Sequence, residues 1–312
     1  MPDDRFRHEV LYYAEGVEGF VAGTLPFVQR ALAAEEPVLV AVGAPRIAGL
    51  KEALGDDAER VRFADMRALG GNPARIIPAW HEFLEQNCPD GGRAFGIGEP
   101  IWPGRSPAEL VECHYHEALL NLAFDPGQAW HLLCPYDLDG LDDDVIEAAR
   151  LSHPLIAHDA ATSHDSDTYV CAHEPPRPLE DPLPPPRPPV RERTFAMQDL
   201  ASIRHFVSAW AREERLGDEH RERLVLAVNE LATNSIRHGG GAGKLLMWRE
   251  SDILLCEVRD SGHIAEPLTG RRRPTPEDLG GRGLWLVNQL CNLVQVRSSP
   301  SGSIVRAHMR SD

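Results

Sequence analysis

The sequence has no apolar run approaching the ~20 residues that a membrane-spanning helix needs. Its opening, Met1-Pro2-Asp3-Asp4-Arg5-Phe6-Arg7-His8, carries no signal-peptide pattern. It has six cysteines, at 88, 113, 134, 171, 256 and 291, but no Cys-x-x-Cys pair. Several sit in apolar surroundings such as Leu132-Leu133-Cys134, so buried free thiols in a reducing cytosol are expected. Basic charge is scarce in the first part. Residues 1–190 hold 14 Lys+Arg against 32 Asp+Glu, a balance of −18, whereas residues 191–312 hold 18 against 16, a balance of +2. An acidic first half argues against nucleic acid as its partner, because phosphate contacts need clustered Lys and Arg. A working Walker loop is also missing. Gly239-Gly240-Gly241-Ala242-Gly243-Lys244 would need glycine at 238, which is His238, and Ser or Thr at 245, which is Leu245. The glycines read instead as a helix stop and turn. These absences imply a cytoplasmic protein with no membrane segment and no direct nucleic-acid contact.

What is present divides the chain. A length of 312 residues suggests about two domains. Residues 175–189 contain nine prolines in fifteen positions, which resist helix and sheet and favour an extended, semi-rigid spacer. The expected parts are therefore a first domain over 1–172, a linker over 173–190 and a second domain over 191–312.

In the first domain, buried strands at 37–42, 61–64, 94–97 and 130–134 alternate with helices at 17–34, 45–54, 73–86 and 107–123. Pro26 is expected to kink or restart the first helix, and Pro135 to stop the last strand. The alternation predicts a parallel, doubly wound α/β fold. Ligands of such sheets sit beyond the carboxyl ends of the strands. That rule points to Glu99 and Trp102 after one strand and, on the helix at 107–123, to His116. Cys113 with His116 falls short of a four-ligand metal site. The series His153, His158, His164 and His173 lies beside acidic and proline-rich sequence and reads as a solvated linker face. The opening His8…Tyr12-Tyr13, the strand 37–42 and Glu99-Pro100-Ile101-Trp102 together resemble the MEDS sensory domain of bacterial and archaeal regulators. The resemblance implies a RecA-like α/β fold without a phosphate loop and a pocket for a small-molecule signal, with His8 joining Glu99, Trp102 and His116.

The second domain is organised around residues 224–238. Leu224, Val228, Leu231 and Ser235 form the buried stripe of a helix. Glu230, Asn234 and His238 recur at four-residue spacing on another face. A carboxylate and an amide oxygen one turn apart suit Mg²⁺, which shares its coordination with phosphates. A hairpin of strands at 245–248 and 253–258 leads to Asp260-Ser261-Gly262. Gly281, Arg282, Gly283 and Leu284 then open a helix over 284–292, where backbone N–H groups and the helix dipole favour an anion. Strands at 293–297 and 303–309 close the sheet.

These three blocks, in this order, resemble the N, G1 and G2 boxes of the GHKL, or Bergerat, ATP-binding superfamily, especially its bacterial anti-sigma-factor serine kinases. The resemblance spans about 191–312 and implies a two-layer α/β sandwich. It implies Mg²⁺ on Asn234, a general base at Glu230, and adenine against Asp260 and Gly262, with Ser303 nearby. His238, Gly281, Arg282, Gly283 and Leu284 would line the nucleotide, and residues 265–279, with Arg271, Arg272 and Arg273, would form a lid. Ile264 stands where the family often has a second glycine.

The implied activity is ATP-dependent phosphorylation of Ser or Thr on a STAS-type anti-sigma-factor antagonist, or sequestration of a sigma factor by a homodimer, in a stress or transcription circuit. The alternative is an ATP-gated switch without phosphoryl transfer. A sensor histidine kinase ranks lower, because the helix carrying His205 is short and no second hairpin helix precedes it.

Overall fold

The computed structural model describes residues 5–124, 127–158, 162–170, 182–275 and 281–311. The chain divides into two compact units, Met1–Glu174 and Pro175–Asp312.

The first unit is a seven-stranded sheet with order β3-β2-β4-β5-β1-β6-β7. Its strands are β1 (Arg7–Tyr13), β2 (Val38–Val42), β3 (Arg62–Asp65), β4 (Ala94–Gly98), β5 (Trp130–Asp137), β6 (Leu155–Ala157) and β7 (Ser163–Asp165). All the pairings are parallel except β6 with β7. The crossovers carry α1 (Gly16–Ala33), α2 (Ala44–Leu54), α3 (Met66–Leu69), α4 (Ile76–Asn87) and α5 (Pro107–Ala123), and α6 (Asp143–Ser152) joins β5 to β6. β2, β4 and β5 are buried at every position, as continuous apolar runs of a covered parallel sheet should be.

Two proline expectations fail for local reasons. α1 runs unbroken through Pro26, which faces solvent, so water can satisfy the carbonyl that loses its partner. β5 continues past Pro135. Leu138 N donates to Tyr13 O, so by alternation position 135 points away from β1 towards β4, whose register with β5 ends at Leu133. Proline thus forgoes only the last bond of the β4 ladder, the one that would reach Gly98, while the pairing with β1 continues. α5 begins as expected, with Ser106 and Glu109 forming a capping box ahead of Pro107.

The second unit is an antiparallel five-stranded sheet with order β11-β12-β10-β9-β8. Its strands are β8 (Arg191–Ala196), β9 (Ala242–Glu250), β10 (Ile253–Asp260), β11 (Leu293–Ser299) and β12 (Gly302–Arg310). Its helices are α7 (Leu200–Glu213), α8 (Asp218–His238) and α9 (Arg282–Leu290). Alternation along β10 sends Leu254, Cys256 and Val258 into a core shared with Val207 and Trp210 of α7, Leu224, Val228 and Leu231 of α8, and Leu284 and Val287 of α9. Leu255 points the other way, where it joins Leu246 and Trp248 in a smaller cluster that Val190 packs against. On that face Arg306 Nε donates to Glu257 Oε2 at 2.7 Å, and Arg306 Nη2 donates to the carbonyl of Pro184 at 2.7 Å. The last part of the proline-rich stretch therefore lies on the sheet as part of this unit. Gly239 ends α8, Gly240 and Gly241 adopt positive φ, and β9 follows, which is the stop-and-turn that the sequence suggests.

Candidate functional site

α8 sits between the core and a cleft. Its apolar stripe anchors it, and the stripe's one hydroxyl, Ser235, is buried. The Ser235 Oγ donates to Asp260 Oδ2 at 2.6 Å. Asp260 stands at the end of β10. Its Oδ1 accepts from Ser303 Oγ of β12 at 2.7 Å and from Gly262 N at 2.9 Å. Three donors from three segments thus fix one carboxylate, and hydrogen bonds to an ionised acceptor are the strong kind. The fit over Gly239 is tight. A Cβ there would come within 2.4 Å of Asp260 Cγ, so only glycine lets the carboxylate lie against the end of α8.

The cleft has a volume of about 390 Å³. Leu231, Val258, Ile264, Leu284 and Val305 make its apolar lining, while Asn234, His238, Asp260, Gly262, Gly281 and Ser303 supply the polar rim. An apolar slot with a few convergent polar groups is the usual form of a small-molecule site. Gly281 caps α9 at φ 81°, a left-handed conformation that suits glycine. α9 begins at Arg282, two residues before the expected start, which places Gly283 in its first turn. A Cβ on Gly283 would lie 3.0 Å from both amide atoms of Asn234 and 3.1 Å from Glu230 Oε2. The start of α9 therefore abuts the carboxylate–amide pair of α8. Arg282 is exposed, and its Nη2 donates to Thr275 O at 3.1 Å.

Two polar clusters stand out in the first unit. At the carboxyl ends of the strands, Tyr13 Oη donates to Glu99 Oε1 at 2.8 Å, and Arg46 of α2 reaches Glu99 Oε1 at 3.1 Å and Asp137 Oδ2 at 3.2 Å. Burial raises the Glu99 carboxyl to about 7, although Arg46 and the Tyr13 hydroxyl pull it down. Burial pushes the Tyr13 hydroxyl well above its ordinary range, and Glu99 adds to this. The other cluster is His8, Glu117, Cys134 and His153, all buried. Burial works against the Glu117 carboxylate, yet hydrogen bonds from His153 and His8 hold it well below the usual range.

Residues 7–154 match the family of the MEDS domain, the MEthanogen/methylotroph, DcmR Sensory domain. Residues 194–309 match the family described as the histidine kinase-like ATPase domain. The chain is a MEDS domain followed by a histidine kinase-like ATPase domain. No curated protein matches it. Among solved structures, the RsbU and RsbW domains of a Mycobacterium tuberculosis protein align with 39% of this chain and 32% of theirs, at 13% identity and a TM-score of 0.31. The histidine kinase AdeS of Acinetobacter baumannii aligns with 39% of this chain and 68% of its own, at 17% identity and a TM-score of 0.23. The chain thus spans about a third of the length of the first of these structures.

The ATPase domain gathers its sequence-predicted residues around one cleft. Asn234, His238, Asp260, Gly262, Gly281, Leu284 and Ser303 line it, and Glu230 and Gly283 meet beside Asn234. Ser303 holds Asp260 directly. Ser235 was legible only as a core position, and its hydroxyl within an apolar stripe was the available signal for its second role. Ile264 lines the cleft, packs on the core, and donates its N–H to Ser298 Oγ at 2.7 Å. The expected lid falls partly outside the described residues, which resume at 281.

The MEDS domain does not gather its four residues into one pocket. Glu99 belongs with Tyr13 and Arg46, while His8 contacts Glu117, Asn121 and Cys134. Trp102 lies beneath the Arg105 guanidinium at 3.6 Å. His116 is buried on α5, next to Glu117. His153 is no solvated linker residue, being wholly buried, whereas His158 and His164 are exposed; His173 lies outside the described residues. Five cysteines are buried free thiols, and Cys171 lies outside the described residues. Among the described residues no helix is long and apolar enough to cross a membrane.

Proposed function

We propose that the ATPase domain binds Mg-ATP and transfers its terminal phosphoryl group to a serine or threonine of a STAS-type anti-sigma-factor antagonist. The observation that carries this reading is the contact of the start of α9, at Gly283, with Glu230 and Asn234 at the rim of the cleft that holds Asp260. Asp260 accepts a hydrogen bond from the adenine amino group, and the apolar lining takes the faces of the base. Gly281 and Gly283 bring the positive end of α9 to the phosphates. Asn234 is the residue to hold Mg²⁺, which would neutralise phosphate charge. Glu230 accepts the proton that the incoming hydroxyl loses as its oxygen bonds to phosphorus and ADP departs. A base in that position contributes about 10²–10⁴-fold in rate.

In this reading the protein acts in the cytoplasm. It can work as a homodimer that sequesters a sigma factor, and the MEDS domain modulates it in response to a signal. Residues 1–172 form its sensory part and 191–312 its nucleotide-binding part, joined by 173–190, whose last residues pack on the second of these. A second reading, ATP-gated binding without transfer, draws on Ile264, which lines the cleft at the position where the resembled family often has a second glycine.

Mass spectrometry of STAS-domain antagonists after incubation with the full chain and Mg-ATP tests the proposal. One phosphate on one serine or threonine, lost when Glu230→Ala replaces the wild type, is the expected result. Equal transfer by the variant removes Glu230 as the base. ATP binding with no transfer to any antagonist replaces the kinase with the switch.

A further inference from the structure

The MEDS domain carries four potential ligand side chains that the nucleotide chemistry does not use. His8 comes from β1, Glu117 from α5, Cys134 from β5, and His153 from the residue that caps α6. One donor atom from each lies within 4.8 Å of the other three, and all four residues are buried. Nε2 of His8 and Nε2 of His153 each stand 3.2 Å from the same oxygen, Glu117 Oε2. Cys134 Sγ lies 3.5 Å from His8 Nε2.

The surroundings fix the tautomers. Asn121 donates through Nδ2 to Ser152 O at 2.8 Å, which turns its Oδ1 towards His8 Nδ1 at 3.1 Å. That oxygen can only accept, so His8 Nδ1 carries a proton. His153 Nδ1 faces the carbonyl of Ala149 at 2.7 Å and carries one too. Each ring therefore presents its Nε2 to the Glu117 carboxylate, leaving that nitrogen as the one available to a metal. Two imidazole nitrogens and a sulfur thus converge on one carboxylate oxygen away from water, where a shared positive charge, carried by protons or by a metal ion, offsets the buried carboxylate. Glu117 Oε1 is left without a hydrogen-bond partner in the same buried space. Imidazoles oriented through Nδ1–H by an amide or backbone oxygen are the usual support of metal ligands.

We infer that His8, Glu117, Cys134 and His153 bind one divalent transition-metal ion of the Zn²⁺ type in the MEDS domain. Two imidazole nitrogens, one carboxylate oxygen and one thiolate match the ligand types and number of a tetrahedral zinc site. The charges balance, since thiolate and carboxylate together offset a dication and leave a neutral centre where burial would penalise net charge. Zinc bonds of about 2.0–2.3 Å place neighbouring donors roughly 3.3–3.7 Å apart, so the cluster closes with shifts of about 1 Å. Four protein ligands leave no open position, which makes the site one that ties elements together. It would join β1 and β5 of the sheet to α5 and the end of α6.

The test uses the full chain and two probes, Zn²⁺ and Co²⁺, each added to the folded protein and also during refolding from chelator and denaturant, because the site is enclosed. The expected result is one metal per chain by elemental analysis. Co²⁺ should give the visible bands of a tetrahedral ion and a thiolate charge-transfer band in the near ultraviolet, both displaced by Zn²⁺. Cys134→Ser should lose the charge-transfer band. Asn121→Ala keeps all four ligands and should keep the band while binding about 10–100-fold more weakly, as loss of an orienting partner does. Wild-type chain that takes up no stoichiometric metal by either route overturns the inference, as does a Co²⁺ spectrum without the thiolate band. These readings on the wild type stand even if Cys134→Ser fails to fold.

Discussion

Asp260→Asn is the sharpest perturbation of the nucleotide cleft, because it changes charge and hydrogen-bonding sense with almost no change in shape. The wild-type carboxylate accepts from Ser235 Oγ, Ser303 Oγ and Gly262 N. The amide has one accepting and one donating end. Ser235 can turn to Leu231 O, which it already approaches at 3.2 Å, so the fold absorbs part of the change. The adenine amino group cannot adapt, because it is a donor and would meet a donor or a weakened acceptor. Loss of one hydrogen bond to a charged group costs about 1.5–3 kcal/mol, which is roughly 10–150-fold in ATP affinity at 1.4 kcal/mol per decade. Calorimetric titration of wild type and variant with ATP and with inosine triphosphate separates base recognition from general damage. The wild type should strongly prefer ATP. The variant should lose that preference, because inosine presents a carbonyl where adenine has its amino group, and an amide N–H can donate to it. Equal losses for both nucleotides, or unchanged ATP binding, would refute the role given to Asp260.

Two further outcomes follow from burial. Glu99 titrates near 7 in the fold against 4.5 for the free side chain. The folded state therefore holds the proton more tightly, and stability falls as pH rises from about 4.5 to about 7, by at most about 3 kcal/mol for this group. Urea unfolding of the MEDS domain at several pH values should show that slope in the wild type but not in Glu99→Gln, and parallel curves would sink the argument. Leu231, 2% exposed, belongs to the ATPase core and also lines the cleft. Leu231→Ala should cost about 2–5 kcal/mol, read as a lower thermal midpoint that added ATP partly restores; an unchanged midpoint would contradict the packing.

The sequence reveals elements best where the pattern is local. The α8 stripe and the Glu230–Asn234 spacing follow from the period of the helix, and Asp260 follows from its place at a strand end. The start of α9 was misplaced by two residues because it depends on Gly281 in a left-handed conformation and on no capping side chain, so no residue type announces it. His153 looked solvated because its sequence neighbours are polar, but it is β1 and α5 that bury it. His8 and Glu117, which meet, are 109 positions apart. The strand-end rule found Glu99 but not its partners Tyr13 and Arg46, since the rule says where strands end and nothing about which ends are adjacent. Pro135 misled for the same reason: whether a proline breaks a strand depends on a neighbour that the local pattern does not reveal.

The carbonyl of Pro184, held by Arg306, has a practical consequence for dissection. The ATPase family match begins at 194, yet Val190 covers Leu246, Trp248 and Leu255, and Pro184 caps the Arg306–Glu257 pair. A fragment cut at the family boundary would present a buried tryptophan and a buried ion pair to water. Its poor behaviour would then be a symptom of where it was cut, and a fragment starting ahead of Pro184 would keep that face covered.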